Sequence, residues 1–465
     1  VSDLPRRTVV RTAKLAALPW GIAGRAAWGL GKRVGGKPAE AVAAEIQART
    51  ADQLYRTLGE LKGGAMKVGQ ALSIFEASLP EDVAAPMRAT LARLQNAAPP
   101  MPASTVHRVL ADEWGDGWRD RFRDFDDRPA AAASIGQVHR GVWHDGRPVA
   151  VKVQYPGAAE ALLSDVATVS RVGRVAGGWI PGLEMGPLLD ELRDRMAEEL
   201  DYTREARSQQ AFADAFAGSG LVTVPAVVAS TPRVVVGEWL SGRGLADVIA
   251  SGTPDERDAV SRRYIEFLLA GPARAGLLHA DPHPGNYLVM PDGRLGVLDF
   301  GAVKELPDGM PDSIGTLLRI AMAGDGDAVV AGLRAEGFVR DSIRIDGDEL
   351  LAYLRPFLRF AEAQRFRFTR DWVRELVVHV KDPRRAEWTV GLRLNLPPEY
   401  LLIHRVWLGG IGVLCQIGGE VPVLDVFAEW LPGFDPTRDT GAPAAQPPAD
   451  RGPASPASTA TTSSP

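Results

Sequence analysis

The chain has 465 residues, with 58 acidic and 53 basic side chains, seven histidines and a formal net charge of −5 at pH 7. This mildly acidic balance excludes a general attraction to nucleic-acid phosphates. The single cysteine, Cys415, excludes an intramolecular disulfide and suits a reducing cytoplasm.

The length accommodates two or three folded units at about 100–200 residues each. Residues 1–37 carry Arg6, Arg7, Arg11, Lys14, Arg25, Lys32, Arg33 and Lys37 against Asp3 alone, a formal +7, with Trp20 and Trp28 among small apolar residues. Two readings fit this composition. One is an interfacial segment drawn to anionic lipid, with the tryptophans at headgroup depth; the other is a helix docked on a core with a solvated basic face. Pro19 and Arg25 interrupt the apolar stretch, which argues against a signal peptide. Leu61, Ala65, Val68 and Leu72 then recur at helical spacing. They predict an amphipathic helix over 54–76, from one side of which Lys67 and Gln70 project.

Residues 129–139, PAAAASIGQVH, predict a strand–turn–strand where protein kinases carry a glycine-rich loop over the phosphates. Added methyl groups restrict φ > 0 and hold the backbone away from a ligand. Ala131, Ala132, Ala133 and Ser134 would thus form a stiffer cover than glycines; the alternative is a small-residue turn with no ligand. After the hairpin signal Asp145-Gly146, residues 147–154, RPVAVKVQ, place Lys152 inside a β-branched run. A lysine there is costly unless it pairs with an anion such as a nucleotide phosphate or faces solvent. Leu189, Leu192, Met196 and Leu200 predict the buried stripe of a long helix, with Glu198, Asp201 and Glu205 together on another side. Taken alone, that acidic run reads as a solvated face.

Residues 233–237, RVVVG, predict a buried strand, and Thr253, Pro254 and Glu256 a capped helix start. The densest chemistry lies in residues 277–301, LLHADPHPGNYLVMPDGRLGVLDFG. Asp281 can orient or deprotonate an attacking hydroxyl, while Asn286 and Asp299 offer oxygens to a Mg²⁺ bridging nucleotide phosphates. The run Tyr287–Met290, the turn Pro291-Asp292-Gly293 and the run Leu295–Phe300 predict a hairpin, bringing both ligands to its outer ends. His279 braces the loop, and His283, between Pro282 and Pro284, reads as structural.

After Gly301 only AVKEL precedes Pro307, Asp308 and Pro311, which signal a new helix. That leaves no long activation segment and no Ala-Pro-Glu anchor for a peptide substrate. Leu401–Gly419 contains His404, Arg405 and several glycines, and falls short of the roughly 20 predominantly apolar residues of a membrane span. It predicts a buried helix interrupted near Gly409–Gly412. Cys415 within it reads as a small core residue. Residues 435–465, rich in Pro, Ala, Ser and Thr, predict disorder.

The alanine loop, VAVKVQ, HADPHPGN and LDFG, together with LKGGAMKVGQ (61–70) and EELDYTREA (198–206), resemble the UbiB/AarF-type atypical kinases, the ubiquinone-biosynthesis kinase-like group. The likeness covers roughly residues 50–430. Lys67, Gly69 and Gln70 match that family's KxGQ motif, and Glu199 and Asp201 its ExD motif. The resemblance implies an α+β, bilobal protein-kinase-like fold with a helical N-terminal extension carrying KxGQ. Its divisions would be a basic segment 1–40, an extension 41–110, an N-lobe 111–240, a C-lobe 241–434 and a tail 435–465.

It also implies ATP or ADP and Mg²⁺ as cofactors. Lys152 would hold the phosphates and Glu205 would hold Lys152, with Asn286 and Asp299 on the metal and Asp281 on the nucleophile. Lys67, Gln70, Glu199 and Asp201 would close the pocket, and backbone groups of Glu238 and Leu240 would meet the adenine edge. The partners implied are a nucleotide and an isoprenoid lipid or quinone precursor, with no protein phosphoacceptor. The family's C-terminal membrane helices have no counterpart here, so contact with an anionic membrane would be peripheral. Two other classes use similar residues: small-molecule phosphotransferases like the aminoglycoside and choline kinases, and non-catalytic nucleotide-sensing scaffolds.

Overall fold

The computed structural model describes residues 100–133, 135–157, 200–381, 384–385 and 387–435. The basic segment 1–37, the helix expected over 54–76, the 189–199 part of the expected long helix and the tail beyond Asp435 lie outside the described residues.

Helix α1 (Ala103–Trp114) precedes strands β1 (Phe122–Ala133), β2 (Gly136–Trp143) and β3 (Pro148–Gln154). Helix α2 (Tyr202–Ala215) and the short β4 (Val222–Thr223) follow, then β5 (Val227–Ser230) and β6 (Val234–Glu238). Five of these strands form one antiparallel sheet in the order β1-β2-β3-β6-β5. Its logic is the two-residue period of a strand. Val149, Val151 and Val153 are fully buried on one face, against Val106, Val109 and Leu110 of α1 and Val234 and Val236 of β6. Burying each such side chain contributes about 1.5–3 kcal/mol. The intervening residues, Lys152 among them, face the opposite way. The valine pattern therefore aims the lysine away from α1, toward Glu205 and Asp299.

The second lobe begins with β7 (Arg243–Gly244), α3 (Leu245–Ser251) and the long α4 (Pro254–Ala275). The α4 start is the capping box read from sequence: Thr253 Oγ1 accepts from the Glu256 N–H at 3.2 Å, and the Glu256 carboxylate accepts from the Thr253 N–H at 2.8 Å. Gly276, at φ +64°, ends the helix and turns the chain into β8 (Leu277–His279). The expected hairpin is present as β9 (Tyr287–Val289) and β10 (Leu295–Val297), followed by β11 (Val303–Glu305) paired with β8. Helices α5 (Asp312–Ala323), α6 (Gly326–Ala335) and α7 (Gly347–Leu354) come next, then β12 (Phe366–Arg367), α8 (Arg370–Lys381) and α9 (Trp388–Gly391). The lobe closes with α10 (Pro398–Ile417), β13 (Glu420–Val421) and α11 (Val423–Trp430).

Helix α10 corrects one expectation. It runs unbroken through Gly409–Gly412. Those glycines are buried, and a Cβ on Gly410 would sit 2.8 Å from Leu268 Cδ1 of α4. Each costs about 1 kcal/mol of helix propensity, but their lack of side chains lets α10 close on α4. By length and composition α10 could cross a membrane, yet 61% of its most apolar window is buried inside the protein. Cys415 lies on its buried side, where burial pushes the thiol up to about 12.

A buried polar cluster ties the outer strands together. Gln137 Oε1 accepts from the Met101 N–H at 2.8 Å, and the Gln137 amide faces His139 Nε2 at 2.8 Å. His139 Nδ1 donates to the Asp126 carbonyl at 2.9 Å, and the ring stacks on Phe125. With a donor already facing Nε2, the imidazole is held neutral. Burial lowers its pKa, outweighing the Asp126 carbonyl's upward pull. Native His139 therefore resists a proton that the unfolded chain accepts below about pH 6.5. Its contribution to stability is present above that pH and is lost as pH falls toward the native pKa, at up to about 1.4 kcal/mol per pH unit. Urea unfolding of His139→Gln at pH 7, 6 and 5 should show a shallower acid loss than the parent; parallel losses would contradict the neutral assignment.

Candidate active site

The valine alternation of β3 delivers the Lys152 ammonium to the cleft, where two carboxylates from different elements meet it. Its Nζ donates to Glu205 Oε1 at 2.6 Å and to Asp299 Oδ2 at 3.1 Å. The Tyr202 ring centroid lies 5.0 Å away. The Glu205 side chain is 5% exposed and that of Lys152 14%. Burial alone would lower the lysine pKa, but Asp299 and Glu205 together outweigh it and hold the ammonium well above its usual value. A cation this enclosed is stable only because two anions face it.

Glu205 reaches this position from the first turn of α2, and the start of that helix overturns a sequence expectation. Residues 200–205 do not continue one long helix: Asp201 is extended (φ −109°, ψ 99°) and Tyr202 is the first helical residue. Asp201 Oδ1 accepts from the Thr203 N–H at 2.9 Å and from Thr203 Oγ1 at 2.7 Å. Asp201 is thus an N-cap and shares no helix face with Glu205. An aspartate next to a threonine two residues on satisfies the free N–H groups of a helix start better than it continues a helix. Leu200 is only half-buried.

The Asp281 loop is held from below. Tyr264 Oη donates to the Pro282 carbonyl at 2.9 Å, and His279 Nε2 donates to the Asp299 carbonyl at 2.7 Å. Tyr287 Oη lies 3.3 Å from His279 Nδ1, so that nitrogen is the acceptor. Burial raises both tyrosine pKa values well above the usual phenol range, and the Asp281 charge adds to it. His283 caps the short turn Pro284–Asn286, its Nδ1 accepting from the Gly285 N–H.

The hairpin brings Asn286 and Asp299 to its open end, where the Leu298 N–H donates to the Asn286 carbonyl at 2.9 Å. Asn286 Nδ2 donates to the Asp281 carbonyl at 3.2 Å, which leaves Oδ1 for a cation. Asp299 Oδ1 accepts from the Gly301 N–H at 3.0 Å. Among the described residues, no group of three or more His, Cys, Asp or Glu side chains forms a metal cage. One amide oxygen and one carboxylate, completed by phosphate oxygens and water, nonetheless suit the hard, water-retaining Mg²⁺.

The alanines fall differently from the sequence reading. Ala131, Ala132 and Ala133 belong to β1, paired with Val138, Gln137 and Gly136, so they extend the ladder rather than form the turn. Ser134, Lys67, Gln70 and Glu199 lie outside the described residues. Gly136 is needed for packing: a Cβ there would lie 2.3 Å from the Val153 carbonyl oxygen and 2.9 Å from Tyr202 Oη. At the junction between lobes, the Glu238 N–H is taken by the Ala226 carbonyl at 3.0 Å, so that N–H does not point to an adenine edge. Trp239 lies beneath Arg140, 5.2 Å from its ring centroid.

Sequence reasoning passed over Tyr202, Tyr264, Tyr287 and Gly136. No local motif marks Tyr264 or the Tyr287 hydroxyl, and only the fold reveals what they touch. A cavity of about 740 Å³ elsewhere in the C-lobe is lined by Arg355, Arg359, Arg374 and Glu375 among others. Its charges largely pair with each other, Arg359 with Glu375 and Arg374 with Asp371. Convergent chemistry, rather than volume, makes the surroundings of Lys152 the candidate site.

Comparison with known proteins gives a consistent picture. Residues 93–332 match the family model described as the ABC1 atypical kinase-like domain. The chain is 33% identical over 354 residues to "Atypical kinase coq-8, mitochondrial" of Caenorhabditis elegans, covering 73% of this chain and 46% of that protein. It is 34% identical over 283 residues to "Atypical kinase COQ8B, mitochondrial" of Rattus norvegicus, covering 60% of this chain and 53% of the relative. The chain thus spans about half the length of these curated relatives. Among solved structures, the complex of Rv3197 with erythromycin from Mycobacterium tuberculosis matches with a TM-score of 0.66 and 41% identity. That match covers 85% of this chain and 99% of the other.

Replacing Glu205 by Gln keeps the shape but removes half of the charge that compensates Lys152. The amide oxygen still accepts from Lys152, but trading a charged acceptor for a neutral one at a buried ammonium should cost on the order of 1–2 kcal/mol in urea unfolding. An unchanged midpoint would show that Asp299 alone suffices.

Proposed function

The chain belongs to the ABC1 atypical kinase-like family, and from that premise we propose that it is a Mg²⁺-dependent, ATP- or ADP-binding atypical kinase or ATPase. The observation that carries this reading is the meeting of Lys152, Glu205 and Asp299 from three separate elements. Lys152 would hold the nucleotide phosphates, and Glu205 would keep the ammonium in place. Asn286 Oδ1 and the Asp299 carboxylate would hold Mg²⁺, which would supply positive charge to the phosphate oxygens. Asp281, on a loop pinned by Tyr264 and His279, orients the attacking hydroxyl or water and accepts its proton. The carbonyl of Glu238 and the backbone of Leu240 meet the adenine edge.

The substrate we propose is small or lipid-linked, within isoprenoid quinone or other lipid metabolism. Support comes from the short stretch after Gly301. It enters β11, which pairs with β8, and α5 begins at Asp312, leaving little chain to build a peptide-docking platform. The basic segment 1–37 supplies contact with an anionic membrane surface, and a single buried thiol fits a reducing compartment. A second reading, a binding protein for bulky apolar ligands, is favoured by 41% identity to the erythromycin-bound mycobacterial relative. ATP turnover by the purified chain, with and without anionic liposomes, separates the two.

Asp299→Asn should abolish the Mg²⁺-dependent part of nucleotide affinity while leaving the fold intact, read as loss of the Mg-ATP thermal shift. Unchanged affinity would overturn the metal assignment.

A further inference from the structure

We propose that Asp201 is a positioning residue: by capping α2 it sets Tyr202 and Glu205 around Lys152, and it neither ligates the metal nor closes the pocket itself. This deepens the kinase reading and rests on it.

Asp201 commits one carboxylate oxygen, Oδ1, to the first turn of its own helix, accepting from the Thr203 N–H and hydroxyl. The residues just beyond the cap are those that build the lysine's surroundings. Tyr202, 1% exposed, lies beneath the ammonium, and Glu205, 5% exposed, is its closest anion. A helix advances about 100° per residue, so a start slipped by one position would swing Glu205 away from Lys152.

The entry to the helix is tied to the lysine's own strand and its neighbour. Gln154 at the end of β3 donates from Nε2 to the Leu200 carbonyl at 3.0 Å, and the Tyr202 N–H donates to the Pro232 carbonyl at 3.1 Å. Gly136 leaves room for Tyr202 Oη where any side chain would collide. Asp201 thus closes a frame in which β3, the loop before β6 and the start of α2 share one register. What the frame requires of position 201 is a hydrogen-bond acceptor at a helix start. A metal ligand or a partner for a basic side chain would instead require its charge.

That difference decides the test. Asn and Ser are N-caps as good as Asp, whereas Ala is not. The full chain and its Asp201→Asn, Asp201→Ser and Asp201→Ala variants would be titrated with ATP at several Mg²⁺ concentrations. Amide hydrogen exchange would be followed over residues 203–206.

Asn and Ser should bind within about twofold of the parent, and Ala about fivefold more weakly. The dependence on Mg²⁺ should stay the same, and exchange should speed up only in the Ala variant. Asn weakening binding as much as Ala, or shifting the Mg²⁺ dependence, would overturn the proposal. So would exchange in Asp201→Ala that matches the parent. Should Ala fail to fold, the Asn and Ser titrations decide alone. If the parent chain binds no Mg-nucleotide, the kinase reading fails, and the exchange data still judge the cap.

Discussion

A lysine ammonium held almost out of water, between a glutamate from a helix and an aspartate from the other lobe, is the constraint on which the arrangement depends. Removing such a cation from water costs several kcal/mol. An opposite charge near 4 Å returns on the order of 4 kcal/mol in a protein-like dielectric. Each carboxylate offsets part of that cost while carrying a desolvation cost of its own, so removing either anion would leave the cation undercompensated. Because Glu205 and Asp299 sit on different elements, the pairing is also a geometric demand. The five-stranded sheet, α2 and the hairpin must hold a common register for the charges to meet.

The scaffold around this point meets that demand with uncharged hydrogen bonds and aromatic packing. Tyr264 grips the Pro282 carbonyl and His279 the Asp299 carbonyl, while Phe212, Phe267, Phe300 and Tyr287 surround the imidazole. Each group fixes a backbone position rather than a side chain. The backbone beneath Asp281 and Asp299 is thereby fixed, while the Asp299 carboxylate itself meets Lys152 and the Gly301 N–H. Pre-set geometry of this kind lets acidic groups act on charged phosphates without reorganising first.

Motifs whose chemistry is local were legible in the sequence. The Thr253–Glu256 capping box, the Asp145-Gly146 hairpin, the turn at Pro291-Asp292-Gly293 and the β3 alternation each involve groups a few residues apart, so spacing alone specifies them. The less legible features depend on neighbours distant in the chain. Gly409–Gly412 read as a helix break because glycine disfavours helix; Leu268, well over a hundred residues earlier, makes the same glycines a packing surface. Asp201 read as one acid among three on a helix face. The Pro232 carbonyl and Gln154 place the helix start one residue after it.

Residue order alone thus determined which groups are available: an ammonium in a β-branched strand, an acid–amide–acid series around a hairpin, and a run of small residues ahead of them. Period two and turn chemistry act over a few bonds, so no folding partner was needed to read them. Tertiary structure alone decided that Asp299 joins Glu205 at Lys152, that Asp201 caps α2, and that α10 is a continuous core helix. Those outcomes depend on burial and on contacts between residues far apart in sequence, where local propensity is overruled by what packs against it.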